Sequence, residues 1–172
     1  MKTYFLDGEK YYYDKGRWLT SNYMVVPTSK LSRLNKLLID EEDLSEKTLE
    51  QLLEIIDGAR KDNNLFLAIN AANRALKIAD LRKIRYILPK ATSNYRRVGQ
   101  PKKALDIAEQ YLAKCGDDIA SSALYTSLAA ACCDMKDYVV ARAYANKALK
   151  MEGDNRSEEL KIVFSRLKSL ED

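Results

Sequence analysis

Between Arg74 and Lys103 the chain places ten basic residues, Arg74, Lys77, Arg82, Lys83, Arg85, Lys90, Arg96, Arg97, Lys102 and Lys103, against one acid, Asp80. Guanidinium and ammonium groups at that density hold anions: the carboxylates of an acidic peptide, or the phosphates of a nucleic acid. Like charges along a concave wall focus the field and raise association rates. In the phosphate reading Arg96-Arg97 and Tyr86 supply charge and stacking, but no nucleic-acid motif supports it beyond charge. From Asp40 to Asp57 the balance reverses, with eight acids (Asp40, Glu41, Glu42, Asp43, Glu46, Glu50, Glu54 and Asp57) against Lys47 alone. The formal net charge of +4 therefore conceals a strong asymmetry. Two solvated faces that attract one another within the fold account for the same asymmetry without any ligand.

Other chemistries are argued against. The 172 residues contain no histidine and only six glycines, with no Gly-rich phosphate loop and no serine or cysteine in a nucleophile turn. Carboxylate pairs such as Glu41-Glu42 and Glu158-Glu159 sit where helix dipoles alone favour acids. Cys115, Cys132 and Cys133 are odd in number and lack a histidine partner, so neither a disulfide framework nor a zinc site is expected. Neighbouring residues on a helix point about 100° apart, which argues against a Cys132-Cys133 redox pair. The three read as small hydrophobes in helices. The expectation is a non-enzymatic chain with no cofactor and no metal. No apolar run approaches the roughly 18 residues that span a bilayer, and the opening MKTYFLDGEK lacks a signal peptide's apolar block, so the expected location is cytoplasmic, without membrane contact.

The elements that must position these charges differ along the chain. Residues 1–27 hold seven of the fifteen aromatics, Tyr4, Phe5, Tyr11, Tyr12, Tyr13, Trp18 and Tyr23. The turn formers Asp7-Gly8 and Asp14-Lys15-Gly16 divide them into the runs TYFL, KYYY and RWLT, followed by NYMVVP. This predicts an antiparallel β meander of three or four strands, too small to stand alone and packed on the first helices. Trp18 and the tyrosine triplet then form the packing face; the alternative is an aromatic platform for a ligand or a self-association edge. Pro27-Thr28-Ser29 ends the strands, and Leu31, Leu34, Leu37 and Leu38 predict a helix over about 29–39 within a linker segment, 28–45. The acidic run 40–43 breaks it, Ser45 or Asp43 caps the next helix, and Glu46 falls in that helix's first turn.

Beyond residue 45 alanines set the period. Ala68, Ala72, Ala75 and Leu76 align with Ala104, Ala108, Tyr111 and Leu112, and these with Ala141, Ala145, Ala148 and Leu149, after steps of 36 and 37 residues. Ala59 to Ala68, Tyr95 to Ala104 and Cys132 to Ala141 are each nine apart, so three helical hairpins keep one internal spacing and the additional residues fall between them. Asn63-Asn64, Gly99-Gln100-Pro101 and Lys136-Asp137 mark the turns within hairpins; Asp80, Gly116 and Gly153 follow the second helices. Tyr111 in an alanine position predicts a wider contact there. Ser157 caps a last helix in which Leu160, Val163, Phe164, Leu167 and Leu170 recur at threes and fours.

These alanines, with Tyr125, Leu128 and Ala129 on a first helix, resemble the tetratricopeptide repeat over about residues 46–170, although the step exceeds the family's roughly 34 residues. The resemblance implies a mainly α fold: a helical-hairpin solenoid of three repeats over 46–172 with a C-terminal capping helix, the meander of 1–27 lying outside it. It also implies a concave groove, lined by the first helix of each repeat, that holds a peptide or helix of a partner. By position that face presents Glu50, Leu53, Glu54, Asp57 and Arg60 in the first repeat. In the second it presents Tyr86, Pro89, Lys90, Ser93, Arg96 and Arg97, and in the third Thr126, Ala130 and Cys133. The candidates for partner binding are Tyr86, Lys90, Ser93, Arg96, Arg97, Glu54, Asp57 and Thr126. One subset of the family grips a terminal carboxylate with lysines and asparagines, where this chain has Pro89, Ser93, Thr126 and Ala130; that chemistry is not expected. The function so implied is a protein-interaction scaffold for a protein or peptide partner, acidic if the basic stretch is used. The alternatives are a basic scaffold for nucleic acid or its processing complexes, and self-association of acidic first repeat with basic second repeat.

Overall fold

Two hairpin turns set the N-terminal architecture. Asp7 and Gly8 take φ of 54° and 79°, and Lys15 and Gly16 take 46° and 80°, the left-handed pairs that let two-residue turns follow the twist of the strands they join. In the computed structural model, which describes residues 1–40 and 44–169, they connect β1 (Lys2–Leu6), β2 (Glu9–Asp14) and β3 (Arg17–Thr20) into an antiparallel sheet of order β1-β2-β3. The fourth run forms no strand: Val25 makes a single bridge to Leu19, and Tyr23 turns the chain away with φ 60°. Helix α1 (Thr28–Asp40) follows. Contacts divide the chain into two compact units, Met1–Lys77 and Ile78–Asp172.

In the first unit the register places Tyr4, Tyr11, Tyr13 and Trp18 on one face of the sheet. Tyr4, Tyr11 and Trp18 are buried with Val26 and with Leu34 of α1, while Leu6, Tyr13 and Leu31 flank them. Trp18 meets Tyr4 edge-on at 4.9 Å and donates its indole N–H to Asn35 Oδ1 at 2.7 Å. A buried indole needs such an acceptor. Gly16 is required twice over, since a Cβ at its positive φ would also lie 2.2 Å from the carbonyl oxygen of Asp62. Helix α2 (Leu49–Lys61) is capped by Thr48, which accepts from Gln51 N while the Gln51 side chain accepts from Thr48 N. This corrects the expected cap: Ser45 and Glu46 precede the helix, and Glu41, Glu42 and Asp43 lie outside the described residues. Helix α3 (Leu65–Ile78) buries Ala68, Ala72 and Ala75 completely.

The second unit repeats one design. Its helices are α4 (Leu81–Arg97), α5 (Pro101–Cys115), α6 (Ser122–Asp134), α7 (Tyr138–Glu152) and α8 (Glu158–Lys168). Oxygens of Asp80, Ser121, Asp137 and Ser157 accept backbone N–H groups at four helix starts. Within the three hairpins of the chain the left-handed residue is Asn63, Gly99 and Lys136, at the same 36 and 37-residue steps as the alanines. The next residue's N–H returns in each case to the carbonyl five back: Asn64 to Ala59, Gln100 to Tyr95, Asp137 to Cys132. The additional residues between the second and third hairpins form a 3-10 turn, Gly116–Ile119, that buries Ile119. Helix α6 packs against α4, α5, α7 and α8 and is buried almost all round. Ala104, Ala108, Ala141, Ala145 and Ala148 are wholly inaccessible, which lets the second helix of each hairpin settle on its neighbours. Tyr111, in the remaining alanine position, is half-buried, and burial raises its phenol pKa. Leu170 of the expected α8 stripe lies outside the described residues; Leu160, Val163 and Leu167 are buried.

Candidate functional site

Helix α4 runs unbroken from its Asp80 cap to Arg97 with Pro89 inside it. Proline leaves the carbonyl four residues back without its helical donor. One turn on, Thr92 donates its hydroxyl to the carbonyls of Leu88 at 2.7 Å and Pro89 at 3.0 Å. Helical spacing puts Tyr86, Lys90, Ser93 and Arg97 on one stripe. Lys90 engages Tyr86 locally: its ammonium donates to the Tyr86 hydroxyl at 2.5 Å and lies 3.9 Å from the ring centre.

Beside that stripe, α4, α6 and α8 enclose a recess of about 130 Å³. Ser93 and Arg96 line it from α4, Thr126, Ser127 and Ala130 from α6, and Glu159, Ile162, Val163 and Arg166 from α8. At the end of α6, Asp134 accepts from Arg96 Nε at 2.7 Å and from Arg166 Nη2 at 2.8 Å. A carboxylate at a helix C-terminus faces the negative end of the dipole, and the two guanidiniums offset that repulsion while tying three helices together. The triad of two cations and one anion keeps a positive balance. Each arginine spends one N–H on Asp134, so most of the donors of this pair are uncommitted among the described residues. Thr126, only 5% exposed, has no hydrogen-bond partner for its hydroxyl among the described residues. Such a group ordinarily costs about 1–3 kcal/mol when left unmade.

The recess thus brings together Ser93, Arg96 and Thr126 of the sequence-derived candidates. Tyr86, Lys90 and Arg97 lie along the adjoining stripe, with Tyr86 exposed. Glu54 and Asp57 are on α2, in the first unit. Sequence reading missed Asp134, Glu159, Ile162 and Arg166. The signal was present, since Glu159, Ile162, Val163 and Arg166 recur at threes and fours, but α8 was read only for the face it buries. Cys133, another face position, is buried beside this triad. Burial raises its thiol pKa while Arg166 pulls it down, and burial pushes Cys132 up to about 11. Among the described residues no group of three or more His, Cys, Asp or Glu side chains is placed to hold a metal, and no helix is long and apolar enough to cross a membrane.

No family model matches the chain, and no curated protein matches it. Among solved structures it is similar to the crystal structure of the Sgt2 TPR domain from Aspergillus fumigatus. That similarity has a TM-score of 0.61 at 23% identity and covers 75% of this chain and 83% of that one. The helical part of the chain therefore has the tetratricopeptide-repeat fold, with a small three-stranded antiparallel sheet before it.

Proposed function

We propose that this chain is a non-enzymatic protein-interaction scaffold whose second unit takes a peptide or helix of a partner across α4, α6 and α8. The observation that carries the reading is the recess itself: two arginines held by one shared aspartate, beside a buried threonine hydroxyl that makes no bond among the described residues. A partner side chain entering it meets a positive field and a polar group still lacking its partner. An acidic side chain fits both. Tyr86 and Lys90, with Ser93 and Arg97, continue the surface along α4 and suit an acidic or amphipathic segment.

The test places a photo-crosslinking residue at Ser127, inside the recess, or at Ala143, on an exposed position of α7, and exposes each protein to native cytosol. The expected result is one protein crosslinked from Ser127 and not from Ala143, with affinity reduced about tenfold or more by Thr126→Val or Arg166→Ala. Thr126→Val also removes the unsatisfied hydroxyl, so the free protein should keep or raise its Tm while binding weakens. Equal crosslinking from both positions, or binding indifferent to both variants, would sink the reading. Nucleic acid recovered instead, released steeply by salt, would make the chain a basic nucleic-acid scaffold.

A further inference from the structure

The sheet of the first unit has a second face that its core does not use. Register puts Thr3, Tyr12 and Leu19 in one row across it, extended by the bridge from Leu19 to Val25, with Phe5 and Lys10 as the next pair. Tyr23 stacks on Tyr12 at 5.1 Å with ring planes 6° apart, outside the hydrophobic core. Phe5, Tyr23, Met24 and Val25 are 67%, 61%, 68% and 74% exposed. Single exposed apolar residues need no explanation, but these four, three of them consecutive, form a patch of the kind that marks an interaction surface.

Charge says what covers it. Asp7 and Glu9 are engaged by Arg33 and Lys30 of α1. Asp14, the acid on the unused face, lies 3.6 Å from the Met1 amino group. Lys10 and Arg17, on that same face by register, have no ion-pair partner among the described residues. A second copy would set the net positive charge of this face, Lys10 and Arg17 with the single acid Asp14, against itself, which like-charge repulsion disfavours. A nucleic acid needs several cations along its backbone, whereas register gives this face Lys10 and Arg17 beside the acid Asp14. Aliphatic Leu19, Met24 and Val25 match side chains rather than bases. We infer that this sheet face is a second docking surface, distinct from the α4–α6–α8 recess, and that it takes a polypeptide segment alternating apolar with acidic residues.

The probe is a fluorescein-labelled synthetic peptide alternating Asp with Phe and Leu, followed by fluorescence polarisation with the full chain. Its counterpart carries Lys in place of each Asp. The acidic peptide should bind saturably, and a Tyr23→Ser, Val25→Ser variant should lose about tenfold or more in affinity. Both sites are exposed and outside the core, so Trp18 emission should be unchanged and certifies the fold. Lys10→Glu with Arg17→Glu should reverse the preference toward the lysine peptide, whereas Arg166→Ala should leave this binding untouched. No saturation, equal binding of both peptides, or indifference to the serine pair would overturn the proposal. So would displacement by oligothymidylate, or a concentration-dependent association in sedimentation that the serine pair abolishes; these would assign the face to nucleic acid or to a second copy. Because the recess lies in the other unit, loss here with recess binding intact removes only this surface.

Discussion

The sheet of the first unit and the helices of the second bury their interiors by different means. In Met1–Lys77 the sheet is held to α1 by large, unique side chains: Trp18 against Tyr4 and Tyr13, Leu34 beneath them, and ion pairs from Lys30 and Arg33 at the margin. In Ile78–Asp172 a row of inaccessible alanines, Ala104 and Ala108, then Ala141, Ala145 and Ala148, recurs at one spacing, with bulk supplied by Leu88, Leu124 and Leu128. A core of unique bulky residues concentrates its stability in a few side chains. A repeated core of small residues spreads it over many close approaches, and it is hurt more by addition than by deletion.

The sharpest way to break that contrast is Trp18→Ala. Removing a buried tryptophan costs about 3–5 kcal/mol, and it also strands the Asn35 carbonyl that now accepts the indole N–H. Hydrogen exchange should accelerate through residues 1–40. If amides of α4 to α8 accelerate equally, the two units unfold as one and the contrast is only local.

The complementary change adds atoms to the second unit. Ala145 of α7 is fully inaccessible, and Ala145→Leu should cost about 1–3 kcal/mol in a urea titration because the added branch must displace packed neighbours. Ala143→Leu, two residues away on an exposed position of the same helix, should stay within about 0.5 kcal/mol. Equal effects at both positions would mean that the alanine row is not a close-packed seam.

The same difference explains what was legible beforehand. Repetition is a sequence signal, so the alanine rows, the residue just before each second helix and the breaks at Asp80, Gly116 and Gly153 could be read from spacing alone. Asp7-Gly8 and Lys15-Gly16 were legible because few residues tolerate positive φ. Less could be read where competing groups stand together. Ser45, Glu46 and Thr48 all offer cap oxygens, and only Gln51 completing the reciprocal bonds singles out Thr48. The NYMVVP run has strand composition, but Tyr23 leaves the extended region and a single bridge survives. Least legible was the recess. Arg96 and Arg166 are 70 residues apart and meet only through Asp134, a long-range relation that no periodicity encodes.

The smallest effect falls on the cysteines, and it sharpens the picture of the repeated core. Cys132 and Cys133 are buried within α6, whereas Cys115, at the end of α5, is half-buried. Thiol chemistry requires the thiolate and access, so iodoacetamide at pH 8 should mark Cys115 first. Cys132 and Cys133 should follow only through unfolding, slower by a factor of about 10³ or more for a unit of ordinary stability. The pH dependence has a definite sign. Burial raises the Cys132 pKa from 9.0 to about 11, so the folded chain keeps a proton that the unfolded chain releases. That contribution is complete below pH 9 and is lost as pH climbs toward 11. Tyr144, pushed up to about 12 by burial and by Glu109, acts in the same direction at higher pH. Urea midpoints should therefore decline from about pH 9 upward, and Cys132→Ala should blunt the first part of that decline. A midpoint that stays level to pH 11 in both proteins would mean that the α6 interior admits water to its thiols. The alanine seam beside it would then be looser than its inaccessible side chains imply.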